Sequence, residues 1–331
     1  WIFSGAIKHI DGQPLDGDLV EVVDSRGNFL AIGHFQPGSI MVRVISFEKV
    51  KVDQNFWRKK LENALKLRKS LGLFPNPYTN IFRLVHGEGD GLPGLIIDIY
   101  GSTAVVQVHS AGMAMVKPVL AELVVELMGG TVKSVYDKSS GTLSPKSHSF
   151  SDDGYLIGSP VEDELLENGN KFLVSWEEGQ KTGFFIDQRD NRQLLATYCK
   201  DADVLNAFCY TGGFSVYAAR GGAKSVVSVD SSQKAMELTT RNMAINFGEN
   251  DRYKSVCADV FDFLRDNEST YDVIVLDPPA FAKHKGALNN ALQAYKRLNA
   301  AAFRRLNPGG VLFTFSCSQV VSREHFRNAA S

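Results

Sequence analysis

The sequence predicts an α/β protein whose C-terminal half is a parallel, doubly wound sheet, preceded by a small β domain and a central α+β segment. Three observations carry this. After about Cys199 the short apolar runs "DVLNAFCY", "SVVSVD", "YKSVCAD", "YDVIVLDPP" and "GGVLFTFSCS" are each separated by a helical length of chain, the rhythm of a parallel sheet with crossover helices. Residues 1 to about 50 carry alternating apolar runs broken by Ser-Arg-Gly-Asn and Gln-Pro-Gly-Ser, which are hairpin signals. The 331 residues exceed the usual size of one hydrophobic core, so two or three domains are expected.

The first domain, residues 1–52, contains "GDLVEVVDSRGNFLAIGHF" and "SIMVRVISF". A connecting helix over 53–75 follows, with Phe56, Leu61, Ala64, Leu65 and Leu71 near one face. Its other face sets Arg58, Lys59, Lys60, Lys66, Arg68 and Lys69 against Glu62 alone, which reads either as a solvated face or as a stripe for RNA backbone. The central segment, 76–178, opens with "IFRLVHGEGDGLPGLIIDIYGSTAVVQVHS", strands punctuated by Gly and Pro. A helix from about Met113 to Met128 and strands near 132–136 and 171–176 close it, and the Ser-rich loop "KSSGTLSPKSHSFSDDG" is expected to be mobile. The last domain spans 179–331.

With 44% hydrophobic and 22% charged residues, the composition is that of an ordinary globular protein. A net charge of -1 neither demands nor excludes nucleic acid, because a local basic patch suffices. The four cysteines show no C-x-x-C pairing and the seven histidines no zinc-finger or H-E-x-x-H spacing, so no metal is expected. Without a signal peptide, a membrane-spanning run or paired cysteines, the expected compartment is a reducing cytoplasm and no membrane partner is expected.

Ligands of doubly wound sheets bind outside the carboxyl ends of the strands, so each strand exit is informative. The first exit reads Phe208-Cys209-Tyr210-Thr211-Gly212-Gly213. Tyr210 stands where a dinucleotide motif needs its first glycine, which disfavours a pyrophosphate. S-adenosylmethionine has an adenosine and no phosphates, and needs only a tight, glycine-lined turn. Asp230, at the second exit, suits both ribose hydroxyls or caps a helix. Asp259, at the third, suits the adenine amino group or caps "VFDFLR". At the fourth, Asp277-Pro278-Pro279-Ala280-Phe281, the prolines fix the backbone and remove donors, which leaves carbonyls and Asp277 facing the cofactor's methyl group, so that Asp277 is also a candidate cofactor contact. Amino-methylating enzymes place an aromatic directly after the prolines; here Ala280 intervenes. Cys317, in "LFTFSCS", is either a small core hydrophobe or a reactive thiol.

Together "LNAFCYTGGFSV", "VVSVDSSQKA", "YDVIVLDPPAF" and "LFTFSCS" resemble the bacterial 23S ribosomal RNA cytosine-5 methyltransferases of the large-subunit methyltransferase I type. The resemblance covers the whole chain. "WIFSGAI" and "GDLVEVVD" look like that family's N-terminal PUA domain, a small RNA-binding barrel. "GEGDGLPGLIIDIYG" is similar to its central domain, and "GQKTGFFIDQRDNR" to the segment leading into its Rossmann-like catalytic domain. The resemblance implies S-adenosylmethionine as cofactor, 23S ribosomal RNA as partner with a homodimer allowed, and Cys317 as nucleophile. It further implies Asp277 as a contact to the target base, and Gln188 and Arg189 as contacts to the methionine end of the cofactor. The target base leaves its stack to reach the thiol, and Pro278, Pro279 and Phe281 are candidates for the substrate pocket, Phe281 being equally a candidate for the core. Some RNA cytosine-5 enzymes carry a second Cys where Ala280 stands, so the base that removes the C5 proton has no candidate. Cys209 and Cys257 are expected to be core thiols. Two other functions stay open: an amino-group methyltransferase acting on RNA or protein, and a non-catalytic RNA-binding protein. A complete sheet of this type continues past the Cys317 strand, so "VLFTFS" is expected to lie at an unpaired edge, with about 50 residues or a partner to cover it.

Overall fold

The computed structural model describes residues 1–143 and 152–331; 144–151, part of the Ser-rich loop, lie outside the described residues. Two compact units result, one of residues 1–169 and 174–186, the other of 170–173 and 187–331.

The first unit begins with β1 (Ile2–Phe3), β2 (Leu19–Val23), β3 (Phe29–Phe35) and β4 (Ile40–Ser46), an antiparallel sheet in the order β1-β4-β3-β2. Its β2–β3 turn closes because the Asp24 carboxylate accepts the amides of Arg26 and Asn28 at 2.8 and 2.9 Å while Gly27 takes a φ of 83°. Next, α1 (Gln54–Ser70) starts where Asp53 accepts from the amides of Asn55 and Phe56. It buries Trp57, Leu61, Ala64 and Leu65 in the core. Two expectations fail here. Leu71 is 62% exposed, because the helix ends at Ser70 and Leu71 is its C-cap. Arg68, placed by sequence on the basic face, is buried and forms a two-pronged ion pair with Asp90, which offsets the cost of taking a guanidinium out of water.

The unit continues with β5 (Ile81–His86), β6 (Leu95–Tyr100), β7 (Thr103–Val108), α2 (Ala111–Leu127), β8 (Ser134–Asp137) and β9 (Gly154–Ile157), a sheet in that strand order. β7 and β8 pair in parallel across α2, and the neighbouring pairs are antiparallel. Ile32 and Ile45 of the first sheet share one apolar cluster with Trp57, Leu61, Ile97 and Leu120. At the start of α2, a Cβ on Gly112 would fall 2.1 Å from the His34 ring, so only glycine lets α2 approach β3. β10 (Leu165–Glu167) ends the contiguous part of this unit.

The second unit contains β11 (Asn170–Phe172), α3 (Arg189–Ala196), β12 (Asp203–Ala207), α4 (Gly213–Arg220), β13 (Ser225–Asp230), α5 (Gln233–Phe247), β14 (Tyr253–Cys257), α6 (Val260–Asp266), β15 (Tyr271–Leu276), α7 (Leu288–Phe303), β16 (Leu306–Thr314) and α8 (Arg323–Ala330). The strand expected near 171–176 is thus the shorter β11. It packs in this unit, Asn170 accepting from Arg220 at 3.0 Å and the Leu173 amide donating to Asn242 at 2.7 Å. Five strands form a parallel sheet in the order β14-β13-β12-β15-β16, with β16 paired to β15 alone among the described residues. Register aligns the exits: Ala207 lies opposite Val229 and Leu276, Asp230 opposite Cys257, and Leu276 opposite Thr314. The chain order reverses between β12 and β15, where sheets of this kind open a ligand crevice.

Candidate active site

The turn leaving β12 is bent three times. Phe208, Tyr210 and Gly212 have φ of 59°, 48° and 79°, and for the two aromatic residues this left-handed conformation costs roughly 1–3 kcal/mol each. Three side chains hold it. Asp230 Oδ2 accepts from the Tyr210 amide at 3.0 Å, Thr239 Oγ1 donates to the Tyr210 carbonyl at 2.9 Å, and Asn242 Nδ2 donates to the Thr211 carbonyl at 2.9 Å. Gly212 is required twice over, by its φ and because a Cβ would lie 2.7 Å from Thr239 Cγ2. Thr239 and Asn242 were not singled out from the sequence. Their signal was a polar pair three residues apart on the α5 face that also buries Ala235, Met236 and Met243.

Asp230 does not cap α5. Ser232 does so, accepting from the Ala235 amide, while Asp230 Oδ1 takes the Ser232 amide at 3.0 Å. Asp259 is the N-cap of α6, where its Oδ1 takes the amides of Phe261 and Asp262 at 2.8 and 3.1 Å. Two carboxylates at adjacent strand exits favour a ligand edge that offers hydroxyl and amino donors over one that offers phosphates. That donor set fits the adenosine of S-adenosylmethionine.

On the other side of the crevice, Asp277 Oδ2 accepts from Gln188 Nε2 at 3.3 Å, and Gln188 Oε1 accepts from Asn191 Nδ2 at 2.6 Å. Gln188 and Asp277 are thereby brought together, Asn191 is an addition to the sequence reading, and Arg189 begins α3. Pro278 is buried and Pro279 exposed. Phe281 is half-buried, its ring 6.4 Å from Phe261 and 4.7 Å from Tyr295.

Cys317 is exposed just beyond β16, and its thiol donates to the Pro278 carbonyl at 3.7 Å. The serines on either side of it turn inward. Ser316 Oγ donates to the Tyr295 hydroxyl at 2.9 Å, that hydroxyl meets Ser318 Oγ at 3.0 Å, and Ser318 Oγ accepts the Ala282 amide at 3.3 Å. A fully buried tyrosine on α7 thus ties the Ser-Cys-Ser turn to the Asp-Pro-Pro loop. Other thiols differ. Burial pushes Cys199 up to about 12 and Cys209 higher still. Cys209 is enclosed by Met236 and Thr239, as a core thiol should be. Cys257, expected in the core, is exposed, because β14 is an edge strand without a buried residue.

A parallel sheet of this order, with acids at successive exits and a proline-fixed turn across the crevice, defines the class of S-adenosylmethionine-dependent methyltransferases. The family model of that description matches residues 119–327, and a PUA-like domain model matches 1–47. The chain belongs to the ribosomal RNA large subunit methyltransferase I family. It is 40% identical to the protein of that name from Alteromonas mediterranea, across 100% of this chain and 84% of the relative. The Aeromonas hydrophila subsp. hydrophila protein of the same name is 41% identical across 99% and 83%. Among solved structures, a methyltransferase complexed with SAH matches with a TM-score of 0.83 at 24% identity, over 99% of this chain and 84% of that one. One described as a SAM-dependent methyltransferase from Streptococcus mutans matches with 0.81 at 24%, over the same shares. These likenesses establish the fold.

Proposed function

We propose that the protein methylates C5 of a cytosine in 23S ribosomal RNA through a covalent bond between Cys317 and C6. One observation carries this reading: the Cys317 thiol is exposed at a strand exit, 3.7 Å from the carbonyl of Pro278 in the Asp-Pro-Pro turn. The names of the curated relatives support large-subunit ribosomal RNA as the substrate class.

When bound, S-adenosylmethionine supplies an electrophilic methyl group on a sulfonium. The chain's residues do the rest. Asp230 accepts from the ribose hydroxyls and Asp259 from the adenine amine, while Phe208, Tyr210, Thr211, Gly212 and Gly213 shape the turn beside them. Gln188 and Arg189 contact the methionine end. Pro278 and Pro279 fix the turn that meets the target base, and Phe281 backs it from the apolar cluster. Cys317 gives up its proton and its sulfur adds to C6, which makes C5 electron-rich. Asp277 contacts N3 and the exocyclic amine while the ring carries the added electrons. Once C5 has taken the methyl group, a base removes the C5 proton, the C5–H electrons restore the C5–C6 double bond, and the S–C6 bond breaks with its electrons leaving on Cys317 as the thiolate.

RNA containing 5-fluorocytosine tests this, because fluorine at C5 cannot leave as a proton and elimination stalls. The wild-type protein should form a stable adduct, and Cys317→Ser should form none, a hydroxyl being the weaker nucleophile. An adduct that survives in Cys317→Ser, or Cys317→Ala protein that methylates RNA at the wild-type rate, would overturn the thiol mechanism and favour methylation of an amino group.

A further inference from the structure

Between Asp277 and Ser322 the chain contains no Asp or Glu, yet it contains Lys283, Lys285, Lys296, Arg297, Arg304 and Arg305, in a protein whose net charge is -1. This acid-free stretch begins at the Asp-Pro-Pro turn and includes the Ser-Cys-Ser turn near its other end. Much of its charge is gathered on α7 and its C-cap, Arg304, where the side chains of Lys296, Arg297 and Arg304 are exposed and make no hydrogen bond or ion pair with other described residues.

These cations face a groove of about 530 Å³ along α6 and α7, lined by Phe261, Gln293, Lys296, Arg297, Arg304 and Arg305 among others. Its remaining cation, Arg265, is paired with Asp262 and Asp266 at 2.7 and 2.8 Å. Arg305 is fixed by the Leu264 and Arg265 carbonyls, both at 2.9 Å, and so presents a rigid charge. At one end of the groove Phe261 lies 6.4 Å from Phe281, which closes the Asp277-Pro278-Pro279-Ala280-Phe281 turn. A merely solvated helix face would gain from acids placed three or four residues from its cations. α7 has none, and its cations repel one another unless a polyanion lies against them. From Lys296 to Arg304 the helix rises about 12 Å, at 1.5 Å per residue, a span of several phosphates.

We infer that the α6–α7 groove is a binding site for RNA phosphates, holding the backbone of the substrate strand beside the target base. This rests on RNA being the substrate and extends it to a surface that neither the PUA-like domain nor the cofactor crevice includes. Binding here is through charge, so it carries no base sequence and positions the strand.

The test uses the full chain carrying K296E, R297E and R304E together, with a mixed-sequence single-stranded RNA followed by fluorescence anisotropy over a salt series. S-adenosylmethionine affinity, which these side chains do not touch, verifies the fold. RNA affinity at low salt should fall at least tenfold, and the slope of log affinity against log salt should become shallower by about 2, at roughly 0.7 for each of three lost phosphate contacts. Unchanged affinity and slope would overturn the inference. So would a variant that keeps its affinity for free RNA and loses only binding to protein-bearing ribosomal subunits, which would assign the groove to an acidic protein. If wild-type product contains no 5-methylcytidine, the cytosine-5 reading fails while the comparison of RNA affinities still decides the groove.

Discussion

The Cys317 thiol donates to the Pro278 carbonyl across 3.7 Å. A proline contributes a carbonyl and no N–H, so at this point the turn offers the sulfur a backbone acceptor and no backbone donor.

Alkylation separates the four cysteines. Cys257 and Cys317 are exposed and should react with iodoacetamide in the folded protein, whereas Cys199 and Cys209, buried and pushed up in pKa, should react only on unfolding. Mass spectrometry of digested protein reads this directly. Protection of Cys317 in the presence of RNA, with Cys257 still reactive, would tie that thiol to the substrate.

Tyr295→Phe removes the hydroxyl shared by Ser316 and Ser318 and keeps the ring contacts to Phe281 and Phe326. The expected result is a fall in kcat of about 10–100-fold from misplacement of Cys317, with S-adenosylmethionine affinity and RNA KM near wild type. An equal loss in every parameter would mean general destabilisation and remove Tyr295 from the positioning role.

Asp230→Ala should weaken S-adenosylmethionine binding by roughly 1.5–3 kcal/mol through loss of a charge-assisted acceptor. Because Asp230 takes the amides of both Tyr210 and Ser232, Asp230→Asn is the informative partner: it keeps an acceptor for one of these amides and loses the charge. Calorimetry that finds both variants binding like wild type would leave Asp230 with a purely local role in the turn.

His34 makes stability depend on pH. Burial, reinforced by the nearby Arg43 charge, lowers its pKa from 6.5 to about 4, and its Nδ1 has no hydrogen-bond partner among the described residues. The folded state therefore prefers the neutral ring. That stabilisation is fully present above pH 6.5, declines as the pH falls towards 4, and amounts to about 3 kcal/mol at 1.36 kcal/mol per pKa unit. Urea midpoints between pH 4 and 7 should follow this curve in the wild type and flatten over that window in His34→Phe. An identical pH profile in the two proteins would show that other groups set it.

The parallel sheet and its exits were legible in the sequence because each strand is a short apolar run that stops at a chemically distinctive residue, Asp230, Asp259 or Asp277. Positions that depend on a neighbouring element were not. Tyr295 sits in an ordinary helical stretch, and only the packing of α7 against two loops gives its hydroxyl two partners, Ser316 and Ser318. Arg68 looked like one more surface cation until Asp90, from a distant turn, met it in the core. Cys257 looked apolar because it ends a strand, and periodicity does not say which strand is the edge. Thr239 and Asn242 read as helix filler, although they hold the turn that Phe208 and Tyr210 bend.

That turn has a kinetic consequence. Its strained backbone is fixed by Asp230, Thr239 and Asn242 of the protein itself, so its ordering entropy is lost at folding and not at ligand capture. Cofactor uptake should then proceed in a single phase, with an observed rate that rises linearly with ligand concentration and shows no slow isomerisation plateau, and the Tyr210 amide should exchange slowly with deuterium even in the ligand-free protein.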